Sequence, residues 1–150
     1  PRRTSSAASY VYKRQVLLNS IIIYTQDLKE NDSLSILNVL EDQKKAWNNN
    51  DIDKFMQGYL NSDKLIFVSK NGPLYGWDFV KNRYKTKYSS KYLMGNLDFE
   101  IYDLFLITNR SAILIGKFNL VREDEELTGF FSLIFKKIKG DWYIVSDHTS

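Results

Sequence analysis

Three ionisable side chains in the second half of the chain could carry chemistry: Arg122, Asp147 and His148. A carboxylate and an imidazole are both common proton carriers, so Asp147 or His148 can serve as an acid–base group at the mouth of a pocket. The two are adjacent. Successive residues of a strand point to opposite faces, so only one of them can look inward. Arg122 opens two further readings. It can pair with Asp147, keep it ionised and close the sheet as a structural ion pair, with His148 capping the chain end. It can instead hold a carboxylate-bearing ligand. The remaining inventory is thin. There is no Cys, hence no thiol nucleophile or thiolate metal site, and a single His, where zinc or iron usually takes two or three. No phosphate loop, dinucleotide fingerprint or metal motif occurs, so no cofactor and no metal is implied.

The elements that must position these residues fit one domain. A chain of 150 residues buries about two-thirds of its unfolded surface, and 43% hydrophobic with 26% charged residues exclude a disordered or collagenous chain. The net charge of +3 suggests nucleic acid until its location is considered. Residues 1–15 hold Arg2, Arg3, Lys13 and Arg14 and no acid, leaving 17 basic against 18 acidic residues in the rest. A phosphate-tracking surface is therefore not expected, and no nucleic-acid partner. The stretch PRRTSSAASYVYKRQ is similar to translated sequencing-adapter read-through, and the chain has no initiating Met; the alternative is a genuine, disordered basic arm. Val16 to Thr25 is apolar but interrupted by Asn19 and Ser20, and is too short to span a bilayer. It reads as the remnant of a secretory h-region or as a short surface helix. Cytoplasmic and exported locations both stay open, and no membrane partner is expected. Residues 1–30 are set apart as a tail, and 31–150 as the domain.

Asn31, Asp32 and Ser33 predict a helix start, followed by an amphipathic run to about Asn48 with Ile36, Val39, Leu40, Ala46 and Trp47 on one face. Gln43 lies within that face, and its amide needs partners. Either it bonds nearby backbone, or this part of the helix lines a wet or ligand-filled cavity. Asn48 to Asp51 is a turn into a short second helix carrying Ile52, Phe55, Met56 and Tyr59. Lys64 to Ser69 reads as a strand and Asn71-Gly72-Pro73 as a turn. A third helix starts near Gly76, with Trp77, Val80, Tyr84 and Tyr88 as a stripe that either packs the core or binds ligand. The rest is strand. The apolar register slips between Ile101 and Leu104, which predicts a bulge near Asp103. Gly116, Phe118 and Leu120 face inward, and Arg122 shares their parity. Leu127–Lys139 and Trp142–His148 form the final hairpin. The whole is α+β, with three N-terminal helices packed on one face of a curved antiparallel sheet.

The order QKKAWNNNDIDKFMQGY, KLIFVSKNGPLYGW, GKFNLVR and GFFSLIFKKIKGDWYIVSDHTS resembles the SnoaL-like branch of the nuclear transport factor 2-like superfamily over residues 36–150. AWNNNDIDKF and WYIVSDHTS are its most specific parts. The resemblance implies a cone whose helices and sheet enclose a deep pocket, commonly in a homodimer packed through the sheets. It also implies that Asp147 faces inward and that His148 lies near the rim or the dimer contact. Ketosteroid-isomerase-like members need a carboxylate base with a Tyr and a protonated Asp as oxyanion donors. Those positions fall on Ser69, Gln43 and Ser132, so that reaction is not expected, although all three can hydrogen-bond a ligand. The expected function is small-molecule binding in a pocket lined by Gln43, Trp47, Tyr59, Phe67, Tyr75, Ser132 and Asp147, with Arg122 close by. One alternative is a metal-independent isomerase, dehydratase or hydrolase using Asp147 or His148. Another is a homodimerisation module, since one such scaffold hosts many functions.

Overall fold

The computed structural model describes residues 30–150, of which Ser33–Ser150 form one unit; the expectations for the adapter-like and h-region segments lie outside these residues. Helix α1 covers 30–48, so Asn31, Asp32 and Ser33 lie inside it and do not start it. Short polar residues cost a helix interior only a few tenths of a kcal/mol each, so a good cap residue is no barrier to continuation. Helix α2 (Ile52–Phe55) is a single turn capped by the Asp51 carboxylate and continued by a 3-10 turn, Met56–Gly58. Helix α3 (Trp77–Lys87) starts after Gly76, as its stripe predicts. The one-turn helix α4 (Lys91–Met94) was not expected. It is built from local signals only, a Ser90 hydroxyl capping the Leu93 amide and Gly95 in the left-handed region at φ 62°.

Six strands follow the order β2-β1-β6-β5-β4-β3, with β1 Ile66–Ser69, β2 Gly72–Tyr75, β3 Asn96–Thr108, β4 Ser111–Val121, β5 Glu126–Ile138 and β6 Asp141–Thr149. The expectation of a wholly antiparallel sheet is corrected in one place: β6 runs parallel to β1. The chain between Ser69 and Asp141 is long enough to bring β6 back in the same direction, which a tight turn cannot do. The segment read as a turn at Asn71-Gly72-Pro73 is a tight hairpin into β2. Proline is tolerated there because β2 is an edge strand.

Three register shifts interrupt the ladders, one of them between Leu106 and Thr108 at the end of β3, and the other two shape the sheet. In β3 the ladder passes from Ile101 to Asp103 and leaves Tyr102 out, at the predicted bulge. In β6 it passes from Ile144 to Ser146 and leaves Val145 out. The inward side chains of β4 and β5, with Leu114 and Phe135 fully buried, meet Ile36, Leu40 and Met56 in one core. Each such side chain contributes roughly 1.5–3 kcal/mol by leaving water.

The end of α1 is fastened to the start of the sheet by two side chains. Trp47 Nε1 donates to the Met94 carbonyl at 2.9 Å. Asn48 accepts from the Leu97 amide at 2.7 Å and donates to the Leu97 carbonyl at 3.0 Å, so one side chain satisfies both backbone groups of one strand residue. Asn48→Ala should lower stability by about 2–3 kcal/mol, because it strands both groups of Leu97. Asn48→Asp, which keeps only the acceptor, should fall between the two in urea unfolding. An alanine variant as stable as wild type would refute this fastening.

Candidate functional site

Trp142 and Ile144 of β6 face the core. If Val145 were paired in regular alternation, Ser146 and His148 would follow them inward. Because Val145 drops out of the ladder, Asp147 turns inward and is only 4% exposed, while His148 is exposed on the opposite face. The carboxylate is held from two sides. Tyr59, at the end of the 3-10 turn, donates its hydroxyl to Asp147 Oδ2 at 2.7 Å, and Thr149 donates to Oδ1 at 2.7 Å. Tyr59 is fixed by a bridge to Ile144, beside the same bulge. Burial pushes the Asp147 carboxyl up to about 6, against the hydrogen bonds from Thr149 and Tyr59 and the His148 charge, which favour its ionised form. Burial also holds the Tyr59 and Tyr84 hydroxyls well above the usual range, with the Asp147 charge adding to both.

These groups stand on the wall of a cavity of about 110 Å³, otherwise lined mainly by Trp47, Phe55, Tyr84, Tyr88 and apolar side chains of β3 to β5. The rings form an edge-on cluster around Trp47, with centroids 5.1 Å to Phe55, 6.0 Å to Tyr84 and 4.7 Å to Tyr88. Gln43 answers both readings of its position: Nε2 donates to the Phe55 carbonyl at 3.1 Å, and the side chain also lines the cavity. Gly58 makes the room, since a Cβ there would lie 2.7 Å from Gln43 Cδ.

Gln43, Trp47, Tyr59 and Asp147 are thus brought together, and five other expected residues are not. Phe67 lines a neighbouring cavity, together with Ser69. Tyr75 is 60% exposed at the end of the edge strand. Ser132 pairs with His148 on the outer face, because Phe131 and Leu133 beside it take the inward positions. His148, for the same alternation, cannot act inside the cavity. Arg122 does not reach Asp147. Glu125 lies three residues away across the acidic turn, and the guanidinium pairs with it while stacking over Tyr88 at 5.9 Å. The acid–base and ion-pair readings therefore separate: among the described residues Asp147 makes no ion pair within 4 Å, and Arg122 pairs with Glu125. Tyr84 and Tyr88 belong to the aromatic stripe that the sequence already offers. Thr149 carries no signal beyond sharing the parity of Asp147. Among the described residues no cluster of three His, Asp or Glu could hold a metal ion, and no helix is long and apolar enough to cross a membrane.

A carboxyl raised from 3.8 to about 6 on folding stabilises the fold when protonated. That contribution is complete below the unfolded value and is lost as pH rises through about 6, a difference of about 3 kcal/mol. Asp53 and Glu41, held low by lysine partners, act in the opposite direction at lower pH. The comparison with Asp147→Asn isolates the buried group. Relative to that variant, wild type should gain stability as pH falls from 7 to 4.5. Parallel stability curves across that range would show that Asp147 is not desolvated.

No protein-family model and no curated protein matches the sequence. Solved structures do. An NTF2-like protein of unknown function from Shewanella oneidensis MR-1 superimposes with a TM-score of 0.78 at 34% identity, covering 79% of this chain and 98% of that one. A scytalone dehydratase-like protein from Novosphingobium aromaticivorans follows at TM-score 0.70 and 12% identity, covering 83% and 88%. A ketosteroid isomerase-like protein from Erwinia carotovora atroseptica gives 0.61 and 14%, covering 78% and 93%. The last two share the fold alone. With 34% identity to the Shewanella protein over an alignment that spans nearly that protein's whole length, on a mixed six-stranded α+β fold, the chain belongs to the nuclear transport factor 2-like (NTF2-like) family.

Proposed function

We propose that this protein binds a small, largely apolar or aromatic molecule in the cavity beside Asp147, and that within its family it stands in the SnoaL-like branch on AWNNNDIDKF and WYIVSDHTS. One observation carries the reading. A carboxyl that makes no ion pair among the described residues is buried among aromatic rings, where it weakens the folded state at neutral pH. Packing alone gains nothing from that group, whereas a ligand hydroxyl or amine donating to it would offset the cost of burial. Gln43 and Tyr84 offer further polar contacts on the same wall.

Acid–base catalysis is the second reading, favoured by the value near 6. A carboxyl that is partly protonated near neutral pH can take a proton from a bound molecule and return it, and the Tyr59 hydroxyl is already oriented on it. An isomerase, dehydratase or hydrolase of this kind would rest on Asp147 and not on His148.

Assembly as a homodimer is proposed through the outer sheet face. Phe105, Ile115, Phe130 and Ile134 are each more than one-third exposed there, beside Ser132 and His148. A homodimerisation module would use that face and leave the cavity without a role.

Native mass spectrometry of the purified chain should show a dimer carrying a small organic adduct. Phe118→Trp, which fills the cavity, should remove the adduct and keep the dimer. An adduct that survives Phe118→Trp, or no adduct with any dimer, would remove the ligand reading. Ile115→Glu with Ile134→Glu should give a monomer in sedimentation; a dimer that persists would place the interface elsewhere.

A further inference from the structure

We propose that the second cavity, between the β1–β2 hairpin and α3, is a binding site for a small organic anion such as an aromatic carboxylate. Its volume is about 120 Å³, and it is a separate chamber that shares only Tyr84 and Tyr88 with the Asp147 cavity. The inference does not depend on what that first cavity holds.

Its walls have two characters. Phe67, Leu74 and Val80 supply an apolar side, continued by the two tyrosine rings. Lys70 from the hairpin turn and Arg83 and Lys87 from α3 supply three cations, and no acidic residue lines the chamber. Arg83 and Lys87 stand four residues apart on one helix, where like charges repel. The other flank of α3 shows how this chain settles such a pair: Lys81 and Lys85 are also four apart, and Asp53 bridges them at 2.5 and 2.8 Å. Among the described residues no carboxylate stands within 4 Å of Arg83, Lys87 or Lys70. A bound anion would supply the missing charge, and Arg83 can present a planar fork to a carboxylate. A purely inorganic anion would leave the apolar wall unused. Nucleic acid does not suit a chamber of this size, nor a chain whose excess basic charge lies in residues 1–15. A compact ring bearing one carboxylate fits both walls. Benzene-sized molecules fill cavities only slightly larger, on the order of 150 Å³.

The test uses benzoate, benzyl alcohol and inorganic phosphate as probes of the full chain, followed by amide chemical shifts. Benzoate should move the signals of residues 69–74 and 80–88 in a saturable way, at least tenfold more tightly than benzyl alcohol. Raising the salt concentration should weaken benzoate and leave the alcohol unchanged. The double variant Arg83→Gln, Lys87→Gln alters two exposed side chains. It should bind benzoate at least tenfold more weakly than wild type, with the alcohol unaffected and an otherwise native spectrum. Each of the following would overturn the proposal: no benzoate binding at millimolar concentration, benzoate no tighter than the alcohol, phosphate as tight as benzoate, or shifts confined to the residues around Asp147 and Tyr59. The last result would still leave the first cavity as a ligand site, so the two readings fail separately.

Discussion

The ring contacts of Trp47 are the interaction on which the rest of this structure depends. One indole, at the end of α1, meets Phe55 of α2 and both Tyr84 and Tyr88 on the α3 side. Its N–H reaches past them to the carbonyl of Met94, where α4 gives way to the sheet. Four elements of low individual stability are thereby held at one point. Two of them are single turns, too short to persist alone, because a first helical turn fixes many dihedrals for one hydrogen bond. Their order is tertiary in origin.

That point of convergence also explains why a cavity exists. Rings meeting edge to face around a rigid centre leave angular gaps, and aromatic side chains cannot bend to fill them as Leu or Met would. Here the gap opens toward the sheet, where Asp147, Tyr59 and Thr149 supply its polar content. The fold is shared with the dehydratase-like and isomerase-like neighbours. A fold does not by itself dictate chemistry, which lives in the side chains of the site.

Much of the fold was legible in the sequence, because periodicity reports burial directly. The helical face from Ile36 to Trp47, the stripe from Trp77 to Tyr88 and the slip near Asp103 each correspond to a structural feature. Less legible was anything decided between elements. The parallel pairing of β1 with β6 depends on which edge the last strand joins, and no local pattern encodes that. Strand β2 hid behind Gly and Pro, which usually punctuate turns. Gln43 lies on the cavity wall and is legible as a polar residue on an apolar face, whereas the inward side of Asp147 came from family correspondence. For Arg122, parity suggests a face and leaves Asp147 or a ligand carboxylate as open partners, but it says nothing about competitors; Glu125, nearby in sequence, is the carboxylate it meets. Ser132 and Tyr75 were placed by family correspondence. Here one looks outward from the sheet and the other stands at its edge.

The unpaired Val145 makes strand length and site chemistry separable. Asp147 and His148 stand back to back, two proton carriers of different character, and backbone register alone selects which one enters the cavity. Deleting the extra residue would shorten β6 and leave Asp147 facing inward. Drawing it into the regular ladder would exchange a carboxylate for an imidazole without altering a single side chain. The protonation behaviour of this cavity is therefore written in hydrogen-bond spacing as much as in amino-acid identity. A position-by-position comparison of β6 with another member of the family compares like with like only where both carry the same irregularity.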